Sequence, residues 1–142
     1  MLVREKPPDY SAYSNHRRHL GFTGESLVVD FYINEGYKIL DRNWRAGRYA
    51  EIDLIARDRR GTLIFVEVKT RIVDDQTAYG ITDIGFSAMH FRKRRKILTA
   101  GRSYAARHAN PFTPCRFDVV VVEFRKDSPT PKLIHVPDAF HA

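Results

Sequence analysis

The sequence predicts an α/β domain with a mixed central sheet flanked by helices. Three observations carry that expectation. Apolar residues recur at helical spacing early and late in the chain, and alternating strand-like runs lie between them. A nearly continuous apolar run, Val119-Val120-Val121-Val122, has the pattern of a strand covered on both faces. The resulting order of helix, three strands, helix and strand belongs to layered α/β architecture.

Residues 1–20 are polar, basic and aperiodic, with Pro7-Pro8 near the start. They read as a flexible basic extension, leaving 21–142 as a single domain. In 25–35, Leu27, Val28, Phe31 and Tyr32 fall at helical spacing, with Thr23 as cap and Gly36 as stop. Residues 37–44 read as a first, less regular strand, and 46–48 as the turn into 51–56. Residues 63–69 form the third strand. The stretch 70–85 has no period, and a loop of that size in a compact domain is usually functional or mobile. Residues 86–108 read as a long helix on Phe91, Ile97, Leu98, Ala100, Tyr104 and Ala105, ended by Asn110-Pro111. Residues 117–124 form the apolar strand, and 132–136 add an edge strand.

A chain of 142 residues suits one domain with a substantial core. Its net charge of +7 points to an anionic partner, of which nucleic acid is the commonest. No apolar run reaches membrane-spanning length and the N-terminus lacks a signal-peptide pattern, so no membrane association is expected. A single cysteine, Cys115, excludes an internal disulfide and fits a reducing, cytoplasmic setting. Cys115 itself reads as a small buried hydrophobe beside the last strand. The histidines are scattered and make no zinc pattern, and Trp44 and Tyr49 read as core packing before base stacking.

The chemistry concentrates in the second and third strands. In Glu51-Ile52-Asp53-Leu54 and Val66-Glu67-Val68-Lys69 the charged residues share one face, while Ile52, Leu54, Val66 and Val68 share the other. Asp58-Arg59-Arg60-Gly61-Thr62 offers a three-residue loop with Gly61 at positive φ. That loop sets Asp53 directly opposite Glu67 and Glu51 opposite Lys69. Carboxylates so close repel, and the relief is a shared proton or a divalent metal. Two readings compete here. One is a salt-bridged sheet face, with Lys69 pairing Glu51. The other is a phosphodiester site in which two carboxylates hold Mg²⁺ and Lys69 orients water and neutralises charge on phosphorus. Glu25, in the first helical turn, is either a dipole-capping acid or a member of that site. Glu51 reads as a supporting partner of Lys69 before an extra ligand. The tract Arg92-Lys93-Arg94-Arg95-Lys96 is either a solvated helix face or a phosphate grip, and Arg71 can hold a neighbouring phosphate.

Asp53 with Glu67-Val68-Lys69 resembles the Asp…Glu-X-Lys core of the restriction-endonuclease-like nuclease superfamily. More closely, residues 20–140 resemble the YraN-like family of small bacterial proteins. The resemblance is carried by Gly21, Gly24-Glu25, Gly36-Tyr37, Arg42-Asn43, the two strands with Arg71, Lys93, Arg116-Phe117-Asp118-Val119-Val120 and Asp138-Ala139-Phe140. It implies a restriction-endonuclease-like fold akin to archaeal Holliday-junction resolvases. It also implies DNA binding with Mg²⁺- or Mn²⁺-dependent cleavage, of branched DNA by analogy. By position, Asp53, Glu67 and Lys69 are the implied catalytic core, with Asp53 and Glu67 on the metal and Glu25 the acid of the first helix. Resolvases of this class act as symmetric dimers, which extends to a homodimer here. The alternatives are a non-catalytic module that keeps the fold and binds DNA or recruits a processing enzyme, and a plain ion-pair lattice without a nucleic-acid partner.

Overall fold

In the turn at residues 58–62, Asp58 Oδ1 accepts the backbone N–H groups of Arg60 and Thr62, each at 2.9 Å, and Gly61 sits at φ 89°. Glycine takes that conformation without a Cβ penalty, so the chain reverses there and the register follows. Leu54 pairs with Val66, Ile55 with Phe65, Ala56 with Ile64 and Arg57 with Leu63, as the loop length predicts. The structure, a computed structural model, describes residues 13–48, 50–73, 91–125 and 129–139, with side chains for 24–48, 50–72, 93–125 and 129–139.

Strands β1 (Lys38–Ala46), β2 (Ala50–Arg57), β3 (Leu63–Val73), β4 (Cys115–Arg125) and β5 (Lys132–Val136) form one sheet in sequential order. Every neighbouring pair is antiparallel except β3 and β4. Helix α1 (Tyr13–Asn34) precedes the sheet. A parallel pair needs a crossover, and helix α2 (Phe91–His108) lies on it.

The helices cover opposite faces. Val28 and Tyr32 of α1 pack on Leu54, Ile64, Val66, Val120 and Val122. Ile97, Ala100 and Tyr104 of α2 pack on Ile55, Phe65, Phe117, Val119 and Val121, with Trp44 edge-on to Tyr104. The approach of α2 is close: a Cβ added at Gly101 would lie 2.8 Å from Phe117 Cζ. The α/β class, the mixed sheet and its flanking helices are therefore as the sequence predicts. No described helix is long and apolar enough to cross a membrane.

Several boundaries differ from expectation. Helix α1 begins at Tyr13, upstream of the Thr23 cap, so residues 13–20 are not a loose extension; residues 1–12 lie outside the described set. Interior Gly21 and Gly24 each cost a helix roughly 1 kcal/mol, which sequence reasoning took as a boundary. At the other end Gly36, at φ 89°, closes α1 as expected. Its N–H donates to Ile33 O, and Tyr37 N–H donates to Tyr32 O. Strand β3 runs on to Val73 because β4 holds it in parallel register through Val73 and Arg125. The rest of the aperiodic stretch, and the predicted start of α2 at residues 86–90, lie outside the described residues. Cys115 is exposed at the start of β4 instead of buried, its side chain outside both cores.

On the α1 face, Asp118 is fully buried and ties four segments together. Arg116 grips it with Nε and Nη2 at 2.7 and 2.8 Å. Tyr32 donates its hydroxyl at 2.8 Å, His135 Nε2 lies at 2.8 Å, and Asp138 N–H donates at 3.0 Å. Burial works to raise the Asp118 carboxyl, but those hydrogen bonds outweigh it and hold the group below the usual carboxylate range. Its contribution to stability is present above its unfolded value, near 3.8, and is lost only as pH falls towards the depressed folded value. Replacing Asp118 by Asn leaves Arg116 without its anion, and is expected to lower unfolding free energy by about 2–4 kcal/mol. Urea denaturation at neutral pH checks this; a loss well under 1 kcal/mol would show the network to be dispensable.

Candidate active site

Strand β2 does not alternate throughout. Ile52 and Ile55 face the α2 core, whereas Leu54 and Ala56 face the α1 core. Asp53 is the extra residue where the parity changes, and the β2–β3 ladder stops at Leu54 and Val66, one pair short of it. Asp53 and Glu67 are therefore not a ladder pair, and Ile52 does not share a face with Leu54. Instead the Asp53 carboxylate substitutes for backbone, its Oδ2 accepting Val68 N–H at 2.8 Å. This bend carries Asp53 into hydrogen-bonding contact with the Glu67 carboxyl.

Glu67 follows Phe65 on the α2 face and is 4% exposed. Its Oε1 receives two ammonium groups, Lys93 Nζ from α2 at 2.6 Å and Lys69 Nζ from β3 at 3.2 Å. Burial, then the Glu67 charge, push the Asp53 carboxyl up to about 8, while the Val68 N–H opposes them. Without metal Asp53 thus keeps a proton at neutral pH, in hydrogen-bonding contact with Glu67. Burial, then the neighbouring Lys93, lower the Lys69 ammonium, with Glu67 acting against that shift. For Lys93 burial acts downward, but hydrogen bonds with Glu67 and Lys69 prevail and raise it.

The expected set is only partly assembled. Asp53 and Lys69 both reach Glu67, though not through the expected ladder pairing. Glu51 does not hold Lys69, because the ladder fails to reach it; Glu51 pairs with Arg45 at 3.3 Å near the surface. Glu25 stands at the border of the site, its carboxyl raised first by burial and further by Glu51 and Glu67, with Arg42 and an Asn43 hydrogen bond opposing. Among the described residues, no three His, Cys, Asp or Glu side chains form a group that could hold a metal ion. Of the basic tract, Arg95 and Lys96 are exposed, Arg94 buries an Nε that has no hydrogen-bond partner among the described residues, and the Arg92 side chain lies outside them. Arg71 is half-buried on β3, two residues beyond Lys69.

The role of one residue and the partner of another went unforeseen. Asn43 sits at φ 50° in β1, between the partners of Leu54 and Ile52 and hence across from Asp53, and hydrogen-bonds Glu25. The available signal was an Asn inside a strand run, since Asn is depleted in strands and enriched at positive φ. Lys93 was expected at a phosphate but is engaged by Glu67, and no pattern on one helix could have shown that.

The donor set suits a hard divalent cation. Asp53 Oδ2 accepts Val68 N–H and Glu67 Oε1 receives the two ammonium groups, which leaves one oxygen of each acid for a metal that would replace the Asp53 proton. Mg²⁺ keeps several waters and needs no closed protein cage, so two carboxylates fit it.

The model of the uncharacterised protein family UPF0102 matches residues 24–122, a span that includes Glu25, Asp53, Glu67, Lys69 and Lys93. The chain belongs to the UPF0102 family. A UPF0102 protein of Trichlorobacter lovleyi is 36% identical over 121 residues, covering 85% of this chain and 89% of the relative. One of Geobacter metallireducens is 38% identical over 127 residues, covering 89% and 96%. One of Paracidovorax citrulli is 42% identical over 117 residues, covering 81% and 82%. Among solved structures, a repair endonuclease from Pyrococcus abyssi aligns at 19% identity and TM-score 0.37, over 86% of this UPF0102 chain and 42% of its own length.

The Asp53 proton has a measurable consequence. Unfolding releases it from Asp53, whose ordinary value is 3.8. Between about pH 4 and pH 8 the folded state binds more protons than the unfolded one, so stability from this group falls as pH rises. In chelator, Asp53→Asn is expected to flatten that slope and to raise stability near pH 8 by about 1–3 kcal/mol. Urea titrations across that range test it, and an unchanged slope would place the proton elsewhere.

Proposed function

We propose that this protein is a divalent-metal-dependent endonuclease that hydrolyses DNA phosphodiesters, with branched DNA as the preferred form. The observation that supports this best is the meeting of the buried Glu67 carboxyl with the half-buried Asp53 carboxyl, with a lysine beside them. Asp53 and Glu67 would hold Mg²⁺ or Mn²⁺. Bound there, the metal would act as a Lewis acid on the phosphate and lower the pKa of water.

The chain's own residues supply the rest. The Val68 N–H fixes Asp53, so the carboxylate is positioned before substrate arrives. Lys69, held over Glu67, is partly exposed and lies on the α2 side of the sheet. There it orients the attacking water and offsets charge that develops on the phosphate oxygens. Arg71 continues the same face of β3, and exposed Arg95 and Lys96 contact flanking phosphates, where they contribute affinity that falls with salt. A second reading has one observation in its favour: Glu67 Oε1 already carries two ammonium groups, as in a DNA-binding module that keeps the fold without catalysis.

Incubation with labelled linear, nicked and four-way-junction DNA in Mg²⁺, Mn²⁺ or chelator separates the two. Metal-dependent cutting is expected, reduced by about 10²-fold or more in Asp53→Ala and in Lys69→Ala, with DNA binding retained. Binding without cutting, unchanged in both variants, would leave the non-catalytic module.

A further inference from the structure

We infer that Lys93 is a displaceable counter-cation, which pairs with Glu67 while the site is metal-free and swings off it when a divalent ion binds. The inference rests on the metal-site reading of Asp53 and Glu67 and adds a competitor for that site.

A carboxylate as buried as Glu67 requires positive charge beside it. Two side chains supply it, but they are not equivalent. Lys69 leaves β3 two residues from Glu67 on the same face, so backbone geometry keeps it there whatever else binds. Lys93 comes from the first turn of α2 on a flexible stem, and its side chain is 44% exposed against 24% for Lys69. Its ammonium can return to water by rotation about side-chain bonds alone. Both ammonium groups share one oxygen, and they repel.

Charge balance favours the exchange. With both acids ionised, Asp53 and Glu67 are matched by Lys69 and Lys93. A divalent ion added to that set leaves two positive charges in excess, and release of Lys93 removes one of them. A phosphodiester then balances the other. Lys93 is thereby freed beside exposed Lys96, three residues on along the same helix face, where a phosphate backbone would approach.

The test is calorimetric titration of the full chain with Mn²⁺, without DNA, in four forms: wild type, Lys93→Met, Lys93→Arg and Arg102→Met. Arg102 is exposed on the same helix, and its removal controls for general electrostatics. Lys93→Met is expected to bind Mn²⁺ about tenfold more tightly than wild type. Its thermal midpoint should fall in chelator and recover in Mn²⁺. Lys93→Arg, able to grip the carboxylate with a two-pronged guanidinium, is expected to bind several-fold more weakly, and it tests the idea even if the methionine variant fails to fold. Equal Mn²⁺ affinity across Lys93 variants, with clear binding by wild type, overturns the competitor and leaves the metal site standing. An equal gain in Arg102→Met overturns it likewise. Absence of Mn²⁺ binding in every form overturns the metal site and the competitor together.

Discussion

The site depends on a substitution of side chain for backbone. Where β2 leaves β3, the Asp53 carboxylate takes the Val68 N–H that a continued ladder would have given to a carbonyl. That hydrogen bond satisfies a donor in a half-buried strand, fixes a side chain that would otherwise rotate, and aims it at Glu67. The consequences extend outward. The parity change lets Ile52 fill the α2 core, and the same irregularity is matched on β1 by Asn43 in a left-handed conformation. Strain of that kind is retained where surrounding structure over-determines it.

The sheet buries carboxylates on both faces and treats them differently. Asp118, on the α1 side, meets a guanidinium, a hydroxyl, an imidazole and an amide, and keeps its charge. Its demands are met within the fold, so it acts as a bolt joining α1, β4, β5 and the C-terminal turn. On the α2 side Glu67 has its two ammonium groups, but Asp53 meets the Glu67 charge with one backbone N–H to itself and retains a proton. Val66, packed in the α1 core, pairs with Asp118 on β4, and the next pair is Glu67 with Val119. One strand step thus separates an acid among donors from an acid that meets a second carboxyl. Such a meeting is expensive in a purely structural role.

Much of this was legible in the sequence, for physical reasons. Gly61 and the short loop fixed the β2–β3 register because few residues tolerate positive φ. The valine run required cover on both faces. Asp53, Glu67 and Lys69 were found because charges on half-buried strands are conspicuous. What escaped was non-local or irregular. Perfect alternation was assumed through Asp53, so Glu51 was assigned to Lys69 when it belongs to Arg45. The start of α1 was placed too late because glycines were read as boundaries. Lys93 stands out through the resemblance and is expected at a phosphate, but its contact with Glu67 is not legible, since that partner lies on another element.

The order in which these groups come together during folding is itself informative. The β2–β3 hairpin is local in sequence and joins through a tight turn, and hairpins form in roughly microseconds. Lys93 belongs to the crossover helix, whose docking also brings β4 into place across a much longer loop, a slower step by topology. The two acids therefore face each other before their most tightly bound ammonium arrives. In that interval water screens the two charges and Lys69, on the same hairpin, already offsets one of them, so the proton enters the pair only as docking buries it.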